Sequence, residues 1–237
     1  MVTIMHLTRR VLLAGAAMLA LTGAGTGVAI TGTASAATPS CGSTCRSYFL
    51  EKWGSDNVLD VYQRTAKAGT PIILYQASNN DPAEDWTYVN QGTVAGFYGL
   101  GLVSAGVDLH YATDEAFELE YTPYGVASGL CMGTASSAGS QTPVALERCG
   151  VSDKTVWIND STDAQNGYSP LISGSDTNFS TPYVLQYPGY GNPASRPRAQ
   201  LNTYSRQEYT GGIVYDNQLW SYLTGPLNGA PGCTPAS

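Results

Sequence analysis

Charged residues are scarce in this 237-residue chain. The 11 lysines and arginines and 18 aspartates and glutamates make up 12% of it, about half the roughly 25% usual in a soluble domain. The basic residues form no run, and the net charge of −7 would repel phosphates, which excludes a nucleic-acid partner. At 43% apolar residues the chain is too hydrophobic to stay disordered. Beyond residue 36 no apolar run is long enough for a membrane-spanning helix. Histidine is nearly absent, with His110 the only one after residue 36. There is no CxxC pair and no GxSxG elbow, so neither a metal site nor a serine nucleophile is expected. Helical periodicity is also nearly missing.

Residues 1–36 carry two arginines (Arg9 and Arg10) and no acid. They continue as the apolar stretch VLLAGAAMLALTGAG and end on Ala34-Ser35-Ala36. This is the plan of an export signal. Thr8–Leu13 also resembles a twin-arginine signal, and the general secretory reading stands beside it. A secreted, extracellular protein with no membrane contact after cleavage is expected, in an oxidising compartment where its five cysteines form disulfides. Cys131 and Cys149 flank one repeated unit and are expected to pair. Cys41 and Cys45 are assigned to a tight local bridge, with a bond from either to Cys233 as the alternative.

The body of the chain consists of short apolar or alternating stretches, VLDVYQ, PIILYQ, GVDLHY, FELEY and PVALERC, separated by Gly, Pro, Asn, Asp and Ser. These read as strands and turns of an all-β fold. Three windows align: Val58–Trp86, Cys131–Trp157 and Val184–Trp220. Each begins on an apolar residue or cysteine, passes a Gly/Ser-rich turn, meets a proline (Pro71, Pro143, Pro197) at the start of a strand, and ends on a tryptophan. Proline fits a strand start because no ladder donor is lost there. Trp86, Trp157 and Trp220 are expected in a shared core, and a threefold internal likeness marks an architecture built from one repeated unit.

The sequence here resembles the ricin-B-type β-trefoil lectins (QxW repeats), a family with a C-L-D-V … Q-L-W … N-Q-x-W signature in each of three lobes. The matching residues are Val58–Val61 (VLDV), the paired cysteines of the middle window, and Asn217–Trp220 (NQLW). The resemblance implies a β-trefoil of twelve strands, six forming a barrel and six capping one end as hairpins. The closing tryptophans lie 71 and 63 residues apart, which leaves long insertions at 87–123 and 158–183. GVDLHYATDEAFELEY, inside the first, is too regular for a loop and could itself be a lobe. The resulting organisation is an export signal (1–36), a cysteine-containing segment (37–49), a trefoil domain (50–226) and a tail (227–237).

The resemblance also implies sugar sites. Such a site needs a carboxylate for two vicinal hydroxyls, an aromatic ring for the C–H face and an amide for a further hydroxyl. In the first lobe Asp60 stands at the aspartate position and Tyr75 at the ring position, followed by Gln76. The amide position holds Ala83, and Asn79 or Asn80 would substitute. The middle lobe has Gly133 and Glu147 at the carboxylate and ring positions, and reads as structural. The third lobe offers Gln186 and Asn217, with Leu201 or Asn202 at the ring position, Tyr204 nearby and Gln218 as a buried backbone partner. The expected function is non-catalytic carbohydrate binding without a cofactor. The alternative is a trefoil protein-interaction scaffold or protease inhibitor with an extracellular protein as partner. Asp114, Glu115, Glu118 and Glu120 cluster in DEAFELE, but an acidic stripe on one strand reads as a solvated face rather than a catalytic pair. Asn178-Phe179-Ser180 matches a glycosylation acceptor.

Overall fold

The structure, a computed structural model, describes residues 47–51, 57–78, 81–188, 198–204 and 216–224. The chain divides into two units, 1–38 and 39–237. The first unit, Cys41, Cys45, Cys233, Asn79, Asn80 and Pro197 all lie outside the described residues.

Among the described residues twelve strands follow in order: β1 (Ser47–Glu51), β2 (Asn57–Val61), β3 (Ile72–Gln76), β4 (Trp86–Thr93), β5 (Glu115–Tyr121), β6 (Leu130–Thr134), β7 (Val144–Arg148), β8 (Val156–Asn159), β9 (Leu171–Ser173), β10 (Tyr183–Gln186), β11 (Gln200–Thr203) and β12 (Trp220–Thr224). Six of them pair antiparallel around a barrel: β4 with β5, β5 with β8, β8 with β9, and β12 with β1. Reciprocal bonds between Ser169 and Trp220, at 2.9 and 3.0 Å, link the residues just before β9 to the start of β12. The other six form three hairpins in one register, with Leu59 opposite Leu74, Met132 opposite Leu146, and Leu185 opposite Leu201. This is a β-trefoil with three pseudo-repeated lobes.

The hairpins meet at the axis. Val144 N–H donates to Ala199 O and Ala199 N–H to Ile72 O, each at 2.9 Å. Leu146 N–H donates to Thr70 O (2.9 Å) and Leu201 N–H to Thr142 O (2.8 Å). Leucines from all three hairpins pack with Trp86, Trp157 and Trp220 in one buried cluster. Each indole N–H donates to the carbonyl of the matching residue in its own hairpin: Trp86 to Leu59 (3.0 Å), Trp157 to Met132 (2.9 Å) and Trp220 to Leu185 (2.9 Å). A buried indole needs one acceptor, and the repeat supplies it three times at the same place. Cys131 and Cys149 are bridged across the open end of the β6–β7 hairpin, their Cα atoms 5.0 Å apart.

Three sequence expectations change. GVDLHY is not a strand: it lies in helix α2 (Ala105–Tyr111), which follows α1 (Val94–Gly99) in the connection from β4 to β5. The alternation of Val107, Leu109 and Tyr111 imitates a strand, yet only Val107 is buried and Leu109 is 81% exposed. Side-chain caps start both helices, Thr93 Oγ1 accepting from Gly96 N (3.3 Å) and Ser104 Oγ from Val107 N (3.2 Å). His110 therefore sits on an exposed helical face, its ring stacked on Phe179 with centroids 4.1 Å apart. Second, 87–123 and 158–183 are not mainly insertions. They contain barrel strands β4, β5 and β9, and GVDLHYATDEAFELEY is not a lobe of its own. Third, the strand register makes Arg198, not Pro197, the equivalent of Pro71 and Pro143, because Leu201 pairs as Leu74 and Leu146 do.

Candidate functional site

Asp60 lies in β2 between Leu59 and Val61, which are both in the core cluster. Period-two alternation turns it to the other face. Across the ladder it stands opposite Ile73, two residues before Tyr75. The chain leaves β2 through a one-turn 3₁₀ helix, Tyr62–Arg64, in which Gln63 (φ 54°) and Arg64 (φ 56°) both adopt left-handed backbone. For residues with a Cβ this costs on the order of 1 kcal/mol each. The turn brings the Arg64 guanidinium to Asp81, with Nε donating to Oδ1 and Nη2 to Oδ2, both at 2.9 Å. This is a bidentate fork. Asp81 also caps the short 3₁₀ helix Pro82–Glu84, its Oδ1 accepting from Ala83 N at 2.9 Å.

Together these residues enclose an open pocket of about 250 Å³ lined by Asp60, Gln63, Arg64, Tyr75, Asp81 and Ala83. The two residues assigned to the first-lobe sugar site, Asp60 and Tyr75, thus share one pocket. Asp60 is buried and Tyr75 half-buried. Gln76 is exposed and does not line it. At the amide position Ala83 gives the pocket a methyl group in place of a donor. Arg64, Gln63 and Asp81 escape sequence reasoning. Asp81-Pro82 is a legible cap signature, whereas nothing in the pattern announces two successive left-handed residues without glycine.

Charge is concentrated here. The hydrogen bonds to Asp81, then its charge, hold the Arg64 guanidinium more firmly protonated than usual, and Tyr124 and Asp60 add to the same field. Oxygens of Asp60, Asp81 and Glu84 lie within 4.8 Å of one another. Both Glu84 oxygens accept from Ser78 N (3.0 and 2.9 Å), and Asp81 is held by Arg64. A metal ion in this group would compete with Arg64 for Asp81. Tyr121, buried beneath and packed on Trp86 with ring centroids 5.7 Å apart, has its phenol pushed up to about 12. Burial is the main cause, followed by the charges of Asp85, Asp60 and Asp81.

The corresponding positions of the other lobes differ. A Cβ at Gly133 would lie 3.0 Å from Thr155 Cγ2 and 3.1 Å from Glu147 Cβ, so a side chain there would have to displace its neighbours in the middle lobe. In the third lobe Asn202 holds the ring position, opposite Val184, and it accepts from Ser140 Oγ at 3.0 Å. Tyr204 is turned away and donates its hydroxyl to Asp163. Asn217 donates to Tyr187 O (3.1 Å) and Gln218 to Thr203 O (3.0 Å). The side-chain oxygens of Gln186 and Asn217 have no hydrogen-bond partner among the described residues.

The β5 carboxylates do not form an open pair. Glu118 is fully buried and accepts from Thr155 Oγ1 (2.5 Å), Asn90 Nδ2 (2.5 Å) and Gly150 N (2.8 Å). Glu120 accepts from Gly129 N at 2.6 Å. Glu115 accepts from Gln91 (2.5 Å) and Asn159 (3.1 Å).

No family model and no curated protein matches the sequence. Among solved structures the chain is similar to 1,3Gal43A, an exo-β-1,3-galactanase from Clostridium thermocellum. The identity is 14% and the TM-score 0.50, over 76% of this chain and 30% of that one. It is also similar to ThreeFoil, a designed threefold-symmetric protein (20% identity, TM-score 0.47, 75% and 97% of the two chains). A third is the Rhizoctonia solani agglutinin (18%, TM-score 0.47, 76% and 94%). At these identities the likeness is one of fold, and the fold is the β-trefoil.

Proposed function

We propose that this chain is a secreted, non-catalytic, lectin-like protein whose working carbohydrate site is the pocket of the first lobe. The observation that carries the reading is the convergence of Asp60 and Tyr75 on one open pocket. The carboxylate would accept from two adjacent sugar hydroxyls, and the ring would lie against the apolar C–H face. Arg64 has five N–H groups, of which two are used on Asp81. The rest are available to a hydroxyl or ring oxygen, the role an amide would play at the position held by Ala83. A shallow site of this kind binds weakly, and one competent lobe limits avidity within a single chain. Export rests on the sequence of residues 1–36. No helix among the described residues is long and apolar enough to cross a membrane.

The test is a glycan array followed by titration calorimetry on the mature protein. Asp60→Ala is expected to weaken binding by at least about tenfold, the usual scale for a lost charge-assisted hydrogen bond. Binding unchanged in that variant, or no binding to any glycan, would reject the assignment. A second reading, a protein-interaction scaffold or protease inhibitor, draws on the α1–α2 connection, where Tyr98 (46%), Leu100 (70%) and Leu109 (81%) are exposed. Its mark would be a culture-supernatant partner lost on replacing that connection while sugar binding persists.

A further inference from the structure

Tyr124 lies in the connection between β5 and β6, is 74% exposed, and has left-handed backbone at φ 57°, ψ 24°. An exposed aromatic residue has no packing reason to hold so unfavourable a conformation. It is fixed from beneath. Asp85 Oδ2 accepts from Tyr124 N at 3.0 Å, Asp85 O accepts from Thr122 N at 2.9 Å, and Gly125 N closes the turn on Thr122 O at 2.8 Å. Asp85 is itself buried, next to Trp86 at the end of the first lobe. A loop of the second lobe is thus tied to the first.

Six described non-glycine residues have left-handed backbone, and three of them, Gln63, Arg64 and Tyr124, gather at one place. Gln63 and Arg64 line the pocket, and Tyr124 is held to it through Asp85, the residue that follows the pocket-lining helix Pro82–Glu84. Strained backbone clustered at one surface is the pattern of a recognition site held in shape by its surroundings. We propose that the Asp60–Tyr75 pocket is one end of a longer binding surface on which Tyr124 stacks a second sugar, so that the ligand is an oligosaccharide segment of two or more residues with free adjacent hydroxyls rather than a single terminal sugar. The Arg64–Asp81 pair, with Arg64 58% and Asp81 16% exposed, lines the pocket and offers both donors and acceptors to sugar hydroxyls. This inference rests on the carbohydrate reading of the pocket.

The experiment compares glucose, galactose and their β-linked di- and tetrasaccharides by titration calorimetry on the mature protein, its Asp60→Ala variant and two variants at residue 124. Tyr124→Asn removes the ring but tolerates left-handed backbone; Tyr124→Phe keeps the ring. With a stacked second sugar, Tyr124→Asn weakens the di- and tetrasaccharides by up to about tenfold and leaves the monosaccharides within about twofold, and Tyr124→Phe binds all of them as the parent does. Loss of mono- and tetrasaccharide binding in equal measure, or no loss of either, overturns the second-sugar role while leaving the pocket in place. Tetrasaccharide binding that survives Asp60→Ala overturns the pocket reading itself, and a parent protein that binds none of the six saccharides overturns both.

Discussion

Asp114, at the junction of α2 and β5, carries a carboxyl raised above the ordinary 3.8 by burial alone. Between the unfolded and folded values the native state keeps a proton that the unfolded chain has released. Asp114 therefore favours the fold in acid, and this contribution is lost as pH rises through the folded value. Asp114→Asn is expected to raise the melting temperature at neutral pH and to leave it unchanged below the unfolded pKa, a difference that thermal denaturation at the two pH values measures directly. Asp153 shifts in the same direction, again chiefly through burial, but Lys154 and backbone hydrogen bonds oppose it, which makes Asp114 the cleaner test. The same scale shows what single residues disclose. Asp60 and Tyr75 could be placed from the sequence because the resemblance to the trefoil lectins assigns them motif positions, and strand parity then accounts for their sharing one face. Arg64 could not, since its place at the pocket depends on a left-handed turn that Gln63 and Arg64 adopt without any glycine to signal it.

Among the elements, β5 is held by its acids. Glu118 gathers donors from β4, from the turn after the disulfide and from the 3₁₀ helix before β8. Glu118→Ala would remove the shared acceptor that ties Asn90, Gly150 and Thr155 together, leaving the buried Thr155 hydroxyl only Ser152 O at 3.1 Å. About 2 kcal/mol of stability should be lost in urea denaturation, the scale of a hydrogen bond to a charged group. Saccharide binding by the folded fraction should be unchanged, because Glu118 does not line the pocket. In sequence DEAFELE resembles a solvated stripe, since an alternating acid reads as outward-facing; here Glu118 and Glu120 are buried because neighbouring loops point their donors at them, while Glu115 stays exposed. GVDLHY misleads for the opposite reason. Its alternation matches a strand over six residues, and only the serine cap at Ser104 separates a short helix from a strand over so brief a run.

For the whole molecule, the threefold plan was legible because it rests on large residues at fixed offsets, Trp86, Trp157 and Trp220 with the hairpin leucines. The strands that open each lobe were less so: FELEY in β5 was legible as a strand but not as part of the barrel, and β9 spans only Leu171–Ser173. The disulfide acts at this scale. Cys131 and Cys149 are separated by 18 residues, and closing such a ring restricts the unfolded chain by on the order of 3 kcal/mol. Reduction is expected to lower stability in guanidinium titration by about that amount. It should not alter affinity at the first-lobe pocket while the protein remains folded, since the bridge ties only the middle hairpin.

The ring of backbone bonds around the axis also governs how the chain reaches this state. Thr70 waits for Leu146, Ile72 and Val144 wait for Ala199, and Thr142 waits for Leu201. No lobe can complete the centre from its own residues, so the nucleus must unite segments from the first, second and third repeats before any of these bonds stabilises it. Loop-closure entropy is lost early and recovered late, which places the chain among slow folders, on a scale of milliseconds to seconds. The same dependence makes unfolding cooperative: releasing Ala199 deprives both Val144 and Ile72 of a partner, so loosening the last repeat opens the centre of all three.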